Sequence, residues 1–218
     1  LIIVVIIIKS PLFKGVIGEV TINIISSLFL DKKKYHLLKN VTLPTEDGST
    51  QIDHIIVSQH GIFVVETKNM KGWIYGSEHQ KQWTQVIYKK KTKFQNPLHQ
   101  NYKHIKTLEN ILSIDAAKLF SVIVFVGDAT FKTAMPKTVN YPRGYLKYIK
   151  SKTDILLSET EVKETILKIE SGKFEKSFST HRKHVKHVKK IIENKNSQKK
   201  CPKCGSPMVL RTARKGAN

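Results

Sequence analysis

Apolar residues recur four apart at Val16, Val20, Ile24 and Leu28. That spacing predicts a helix over 15–30 whose apolar stripe packs on the core, with Glu19 beside the stripe. The period then changes. Residues 35–43 read as a strand, and Pro44-Thr45-Glu46-Asp47-Gly48 as a turn. Two β-rich runs, 51–58 and 61–68, flank Gln59-His60 and predict a hairpin. A short strand is expected at 72–76 and another at 82–88, followed by Lys89-Lys90-Lys91 as a basic turn. Pro97 opens a helix over 97–113 that carries Leu98, Ile105, Leu108 and Leu112. Residues 119–126 (LFSVIVFV) form a continuous apolar run, the mark of a buried strand. Residues 159–170 read as a surface helix. This order predicts the α/β class, as an α+β mixed sheet flanked by helices, in one domain of about 155 residues.

Charge adds a partner to this picture. The 218 residues carry 38 Lys+Arg against 17 Asp+Glu, a formal net charge of +21. Such a balance attracts polyanions. Nucleic acid ranks ahead of an anionic membrane and of a merely solvated basic surface. Lys far outnumbers Arg, which suits phosphate contact better than base reading. The segment from Lys173 to Asn218 is the most basic, with 14 Lys/Arg against 2 acids, and reads as a linker or basic helix followed by a small module. The other end is apolar. Leu1–Ile8 (LIIVVIII) is too short to cross a bilayer, which needs about 20 residues in a helix. The chain opens on Leu, so the segment reads as the end of a membrane anchor that begins earlier, with Lys9 and Lys14 on the cytoplasmic side. Equally, it reads as a buried strand or as the start of the first helix. Cys201 and Cys204 are too close together for a disulfide framework, and point to metal binding in a reducing, cytoplasmic compartment.

The hairpin carries the sharpest chemical signal. Glu66 and Lys68 are two apart and leave the same face of a strand. If Gln59-His60 is a two-residue turn, residues whose numbers sum to 119 face each other, so Asp53 stands opposite Glu66; a bulge at Gly61 would slip this register. Two carboxylates and an ammonium would then share a face built otherwise from Ile, Val and Phe. Like charges placed opposite each other are unfavourable, and burial worsens it. A divalent cation resolves the conflict. Mg²⁺ takes oxygen ligands, typically one or two carboxylates plus waters and substrate phosphate. It acidifies a bound water and stabilises charge on a phosphoryl group. Lys68 would orient that water, and Glu19 could complete the ligand set. Against this stands the plain alternative of a surface Glu66–Lys68 ion pair beside a solvated Asp53. The hairpin geometry, the apolar context and the net charge together favour the site.

Several motifs extend the pattern: Gly18-Glu19; Thr50-Gln51-Ile52-Asp53-His54; Val65-Glu66-Thr67-Lys68-Asn69-Met70-Lys71-Gly72-Trp73; Trp83-Thr84-Gln85; and Phe94-Gln95-Asn96-Pro97. In this order they resemble the NERD family, the nuclease-related domain, over roughly residues 14–126. The family is similar to the PD-(D/E)XK restriction-endonuclease-like superfamily, which implies a mixed-sheet core with flanking helices. By that resemblance Asp53 and Glu66 are metal-binding acids, Lys68 the catalytic lysine, Glu19 the helix acid, and the Thr67 carbonyl a further ligand for Mg²⁺ or Mn²⁺. Gln85, Gln95 and Asn96 fall at family positions expected near the phosphate. Lys89, Lys90 and Lys91 read as a hairpin tip touching phosphate, or as a solvated turn. Trp73 and Trp83 read more readily as core or sheet-edge residues than as base-stacking ones. Cys201-Pro202-Lys203-Cys204-Gly205 resembles the first half of the zinc ribbon of type IA DNA topoisomerases. Such ribbons use four cysteines, so Zn²⁺ requires a second pair; His181, His184 and His187 are a weaker source of ligands.

The expected organisation is therefore an apolar segment at 1–13, a nuclease-like core at 14–130, its C-terminal part at 131–172, a basic linker or helix at 173–200 and a partial zinc ribbon at 201–218. The expected function is metal-dependent phosphodiester hydrolysis on DNA, with no small-molecule cofactor. The alternatives are a non-catalytic DNA-binding module and a protein tethered to an anionic membrane.

Overall fold

The computed structural model describes residues 11–45 and 48–172. The segment 1–10, the tip residues Glu46 and Asp47, and everything from Lys173 on, Cys201 and Cys204 included, lie outside the described residues. Helix α1 (Pro11–Phe29) comes first, followed by strands β1 (His36–Thr45), β2 (Gly48–Ser58) and β3 (Gly61–Asn69). Strands β4 (Gly72–Tyr75), β5 (Gln82–Ile87) and β6 (Lys90–Gln95) lead to helix α2 (Pro97–Leu112). Strands β7 (Leu119–Val126), β8 (Ala129–Phe131) and β9 (Val139–Asn140) precede helices α3 (Pro142–Lys150) and α4 (Glu159–Gly172). The mixed α/β class is as expected. Two sheets replace the single expected one: β1-β2-β3-β7-β9, and β6-β5-β4-β8.

In the first sheet β1, β2 and β3 are antiparallel, while β7 runs parallel to β3. Their apolar residues face both ways, because helices cover both faces. Val57, Ile62, Val64 and Leu119 pack with Leu108 and Leu112 of α2 and with Val162 and Ile169 of α4. Phe63, Val65, Val122 and Val124 pack on the other side with Ile22 of α1 and with Tyr145 and Ile149 of α3. Each such side chain contributes roughly 1.5–3 kcal/mol when fully buried. The second sheet lies beyond the ends of β3 and β7. Trp83 stacks on Phe125 of β7, with ring centroids 6.1 Å apart and planes 11° apart. Ile74 and Ala129 complete that cluster.

The first helix departs from its expected orientation. Val16, Val20, Ile24 and Leu28 are 42–71% exposed as a group with Ile17, and Gly18, Ile22 and Ser26 are the buried stripe. The helix is apolar on both faces, so hydropathy does not choose between them. Close approach and polar pairing do. A Cβ at Gly18 would stand 3.0 Å from Asn69 Cβ and 3.2 Å from Thr67 Cγ2, so only glycine lets the helix lie this near β3. Ser26 Oγ, 3% exposed, lies 2.8 Å from Tyr145 Oη and needs that partner indoors. Strands β6, β8 and β9 and helix α3 are further elements; the strands are short or lysine-rich, whereas α3 opens on Pro142 and buries Tyr145 and Ile149, four apart, a signal the sequence reading passed over. The expected turn at Lys89–Lys91 is instead Tyr88-Lys89, with Lys90 and Lys91 already in β6.

Candidate active site

The β2–β3 ladder pairs Ser58 with Gly61 and His54 with Val65, the register in which numbers sum to 119. The ladder ends there, one step short of Asp53 and Glu66. The alternation of β2 slips just there. Leu38 and Ile55 join the same core cluster as Val41 and Ile52, although three residues separate the members of each pair. Strict alternation would put them on opposite faces. The slip coincides with Asn40, whose φ is 51°. It frees Asp53 to reach along β3, where its Oδ2 accepts from the Thr67 N–H at 2.8 Å.

Glu66 is 3% exposed, which removes the reading of a solvated surface pair. Its Oε1 accepts from Lys68 Nζ at 2.6 Å. Its Oε2 lies 3.3 Å from His104 Nε2, close enough for charge attraction but without hydrogen-bond geometry. Lys68 Nζ also donates to Gln100 Oε1 at 3.0 Å. Gln100 and His104 sit one turn apart on α2 and so face the same side chains. His104 Nδ1 is 2.9 Å from Thr50 Oγ1, which holds its ring in place. Asn101, fully buried between them, donates to the Val64 carbonyl and to Ser121 Oγ, both at 2.8 Å, and ties α2 to β3 and β7. Sequence reasoning missed Thr50, Gln100, Asn101 and His104. Polar residues at i, i+1 and i+4 on the buried face of an amphipathic helix were the available signal.

Electrostatics divide the two carboxylates. Burial pushes the Asp53 carboxyl up to about 7; Glu66 and Glu19 push the same way, while the Thr67 hydrogen bond and Lys68 oppose. Burial also acts to raise Glu66, but His104 and Lys68 outweigh it and hold the Glu66 carboxyl below its ordinary value. Glu66 is therefore the first of the two to ionise, and Asp53 titrates around neutral pH. The effect of Glu19 on Asp53 places that helix acid at the same end of the sheet. Neighbouring His54 is held down to about 4 by burial, against the Glu19 backbone carbonyl, and its Nε2 lies 3.1 Å from Asn23 Oδ1.

Four expected residues thus converge: Glu19, Asp53, Glu66 and Lys68. The remaining ones do not join them. Gln85 donates from Nε2 to the Lys71 carbonyl at 2.8 Å and ties β5 to the start of β4. Lys89, Lys90, Lys91 and Gln95 are exposed on the β5–β6 hairpin. Asn96 is fully buried, contrary to a phosphate-binding position. Its Nδ2 donates to the carbonyls of Ser77, Glu78 and Gln80, and its Oδ1 caps α2 at Leu98 N–H. A loop that needs three carbonyls satisfied takes the amide first.

Among the described residues, no group of three or more His, Cys, Asp and Glu side chains could hold a metal by itself. Mg²⁺ keeps waters and needs only one or two carboxylates from the protein. Glu66 Oε2 is buried without a hydrogen-bond partner, and its charge together with burial raises the Asp53 carboxyl to about 7, a cost that a cation between them would relieve.

A family model described as the nuclease-related domain matches residues 14–126. The chain is also similar to an uncharacterized protein of Bacillus anthracis, 42% identical over 186 residues, covering 82% of this chain and 85% of that protein. No solved structure matches.

Proposed function

Since the chain belongs to the nuclease-related domain family, we propose that it is a metal-dependent nuclease that hydrolyses phosphodiester bonds of DNA at Asp53, Glu66 and Lys68. One observation carries this reading. Two carboxylates share one end of an apolar sheet, and burial and mutual repulsion raise the Asp53 carboxyl to about 7. A fold keeps such a conflict where function needs it.

Asp53, Glu66 and the Thr67 carbonyl would hold Mg²⁺ or Mn²⁺, with Glu19 reaching it through water or directly. When bound, the cation supplies an acidified water and charge stabilisation on phosphoryl oxygens. The chain's own part is positioning. Lys68 has three N–H donors; Glu66 and Gln100 take two and leave the third for substrate or water. That donor orients the attacking water or meets charge developing on the phosphate. His104 and Thr50 keep Glu66 from turning away. Water adds to phosphorus, the P–O bond breaks, and a phosphate monoester and a hydroxyl result. The basic surface holds the DNA backbone. Zn²⁺ at Cys201 and Cys204 remains a separate proposal from sequence that requires a second ligand pair.

The test is calorimetric titration of Mg²⁺ and Mn²⁺ at pH 6 and pH 8. Metal needs Asp53 ionised, so affinity rises with pH through about 7 and then levels. The expected gain is about tenfold between these pH values, with nearly one proton released on binding at pH 6. The sign for stability follows. The folded state binds an extra proton between the ordinary carboxylate range and about 7, so the metal-free protein loses stability as pH rises through that window, and metal restores it. Asp53→Ala is expected to abolish binding. Absence of binding by the wild type, with or without DNA, would favour a non-catalytic DNA-docking domain.

A second reading concerns location, and the exposed face of α1 favours it. Val16, Val20, Ile24 and Leu28 stand exposed, and exposed Lys32, Lys33 and Lys34 follow the helix. Such a face suits the headgroup boundary of an anionic membrane. No helix among the described residues is long and apolar enough to cross one. Ile24→Glu should reduce co-sedimentation with phosphatidylserine-containing vesicles by about tenfold and leave Tm unchanged. Equal sedimentation by the variant removes the membrane contact.

A further inference from the structure

The four strands β4, β5, β6 and β8 contain no acidic residue. Their registers define two faces. Ile74, Trp83 and Ala129 turn inward to Phe125, with Phe94 and Phe131 packed against them. The opposite face carries one cross-strand row of Lys91, Val86, Trp73 and Thr130, and a second of Lys93, Thr84 and Tyr75. Trp73 is 49% exposed and Tyr75 37%. Lys132, directly after β8, holds its Nζ over the Trp73 ring, 4.7 Å from the centroid, so a base stacking on that side takes its place and leaves the ammonium beside a phosphate. Two aromatic rings therefore stand side by side on one sheet face, with lysines at the β6 edge, Lys132 over Trp73 and no carboxylate in the strands.

We infer that this outer face, with Trp73 and Tyr75 at its centre, Lys91 and Lys93 along one edge and Lys132 over Trp73 until a base displaces it, is a stacking platform for single-stranded DNA. Trp73 and Tyr75 are about 6.5 Å apart along β4, room for one base on each ring. Lys91 and Lys93 lie two strands away, about 10 Å, where phosphates fall when bases cover the rings. Stacking tolerates any base, and lysine meets phosphate without reading sequence. A duplex hides its base faces, so the aromatic rings favour an unpaired strand. A protein partner would need acidic groups to match the lysines, and it would gain little from two isolated rings.

The position joins this platform to the candidate active site. Strand β4 begins three residues after Asn69 ends β3, so the platform adjoins the end of the strand that carries Glu66 and Lys68. Gly72, at φ 78°, makes that junction tight: a Cβ there would meet the Val86 carbonyl oxygen at 2.4 Å. The inference rests on the nuclease reading only in taking the strand for substrate. An unpaired strand held here would be delivered towards Lys68.

The experiment is a fluorescence titration of the full chain, in EDTA, with a mixed-sequence oligonucleotide of about 12 nucleotides and with its duplex. Trp83 is buried, so quenching on binding reports Trp73. Wild type should show quenching by the single strand. Trp73→Ala should lose the quenching and bind the single strand roughly 5- to 100-fold more weakly. Trp73→Phe, which keeps a stacking ring, should retain affinity within about threefold. The double variant Lys91→Ala/Lys93→Ala should lower the salt slope by about 1.4. Unchanged single-strand affinity in Trp73→Ala overturns the platform, as does an equal loss of duplex affinity in that variant. EDTA separates this from catalysis: the platform can fail while metal-dependent cleavage persists, and cleavage can be absent while the strand still stacks.

Discussion

Asp53→Asn is expected to lower Mg²⁺-dependent cleavage of DNA by about 10³-fold or more, since it removes a metal ligand and with it the charge stabilisation and acidified water that the cation supplies. The same variant should be more stable than wild type at pH 8. Asparagine can still accept from the Thr67 N–H, while the repulsion among Asp53, Glu66 and Glu19 is gone. Activity falling while Tm rises would mark a group kept for function at a cost in stability. Lys68→Ala is expected to lose cleavage comparably. It should also lose stability, because Glu66 is then buried with Oε1 unpaired. Cleavage assays with a plasmid and a linear duplex, alongside thermal unfolding at pH 6 and pH 8, test both. Full activity in either variant would remove the assignment.

Asn96→Ala should be the most destabilising of the polar substitutions considered, by about 3 kcal/mol or more. The change removes the buried amide that three carbonyls of the 77–80 loop share, leaving Ser77 only the Trp83 Nε1–H, and removes the N-cap of α2. For a domain of this size that corresponds to a fall in Tm of roughly 6–12 °C. Since α2 carries Gln100 and His104, cleavage should fall with it, and lowering the temperature should recover part of the loss. An exposed phosphate contact would behave otherwise: DNA affinity would drop and Tm would hold. Thermal unfolding of Asn96→Ala beside Gln95→Ala, whose side chain is exposed on β6, separates the two roles.

How much of this was legible depended on how local the cause was. The hairpin was, because Ser58 to Gly61 spans a tight turn and a two-residue period fixes which side chains share a face. That register holds as far as His54 and Val65, and Asp53, one residue beyond it, accepts from the Thr67 N–H of β3. The helix over α2 was legible from Pro97 and its apolar spacing, and the buried strand β7 from its unbroken run. What failed was the choice between alternatives of equal hydropathy. Either face of α1 satisfies a periodicity argument; Gly18 against Asn69, and Ser26 against Tyr145, decide which one goes in.

The proposed site divides in the same way. Identity and spacing within one hairpin pointed to Asp53, Glu66 and Lys68, and the structure brings them to one end of β3. Thr50, Gln100 and His104 were decided only by the fold, because they reach Glu66 and Lys68 from segments whose approach depends on helix α2 crossing the sheet. Asn96 shows the reverse. Its place in a motif suggested a phosphate contact, and only packing revealed an amide enclosed by loop carbonyls. The exposed pairing of Trp73 with Tyr75, and the burial of Trp83, likewise follow from which face of the second sheet rests on Phe125. Sequence by itself determined what lies within one turn or one strand pair, where chain geometry leaves few choices. The tertiary structure decided every contact between distant segments, because close approach, burial and the pairing of polar groups select among faces that hydropathy leaves equal.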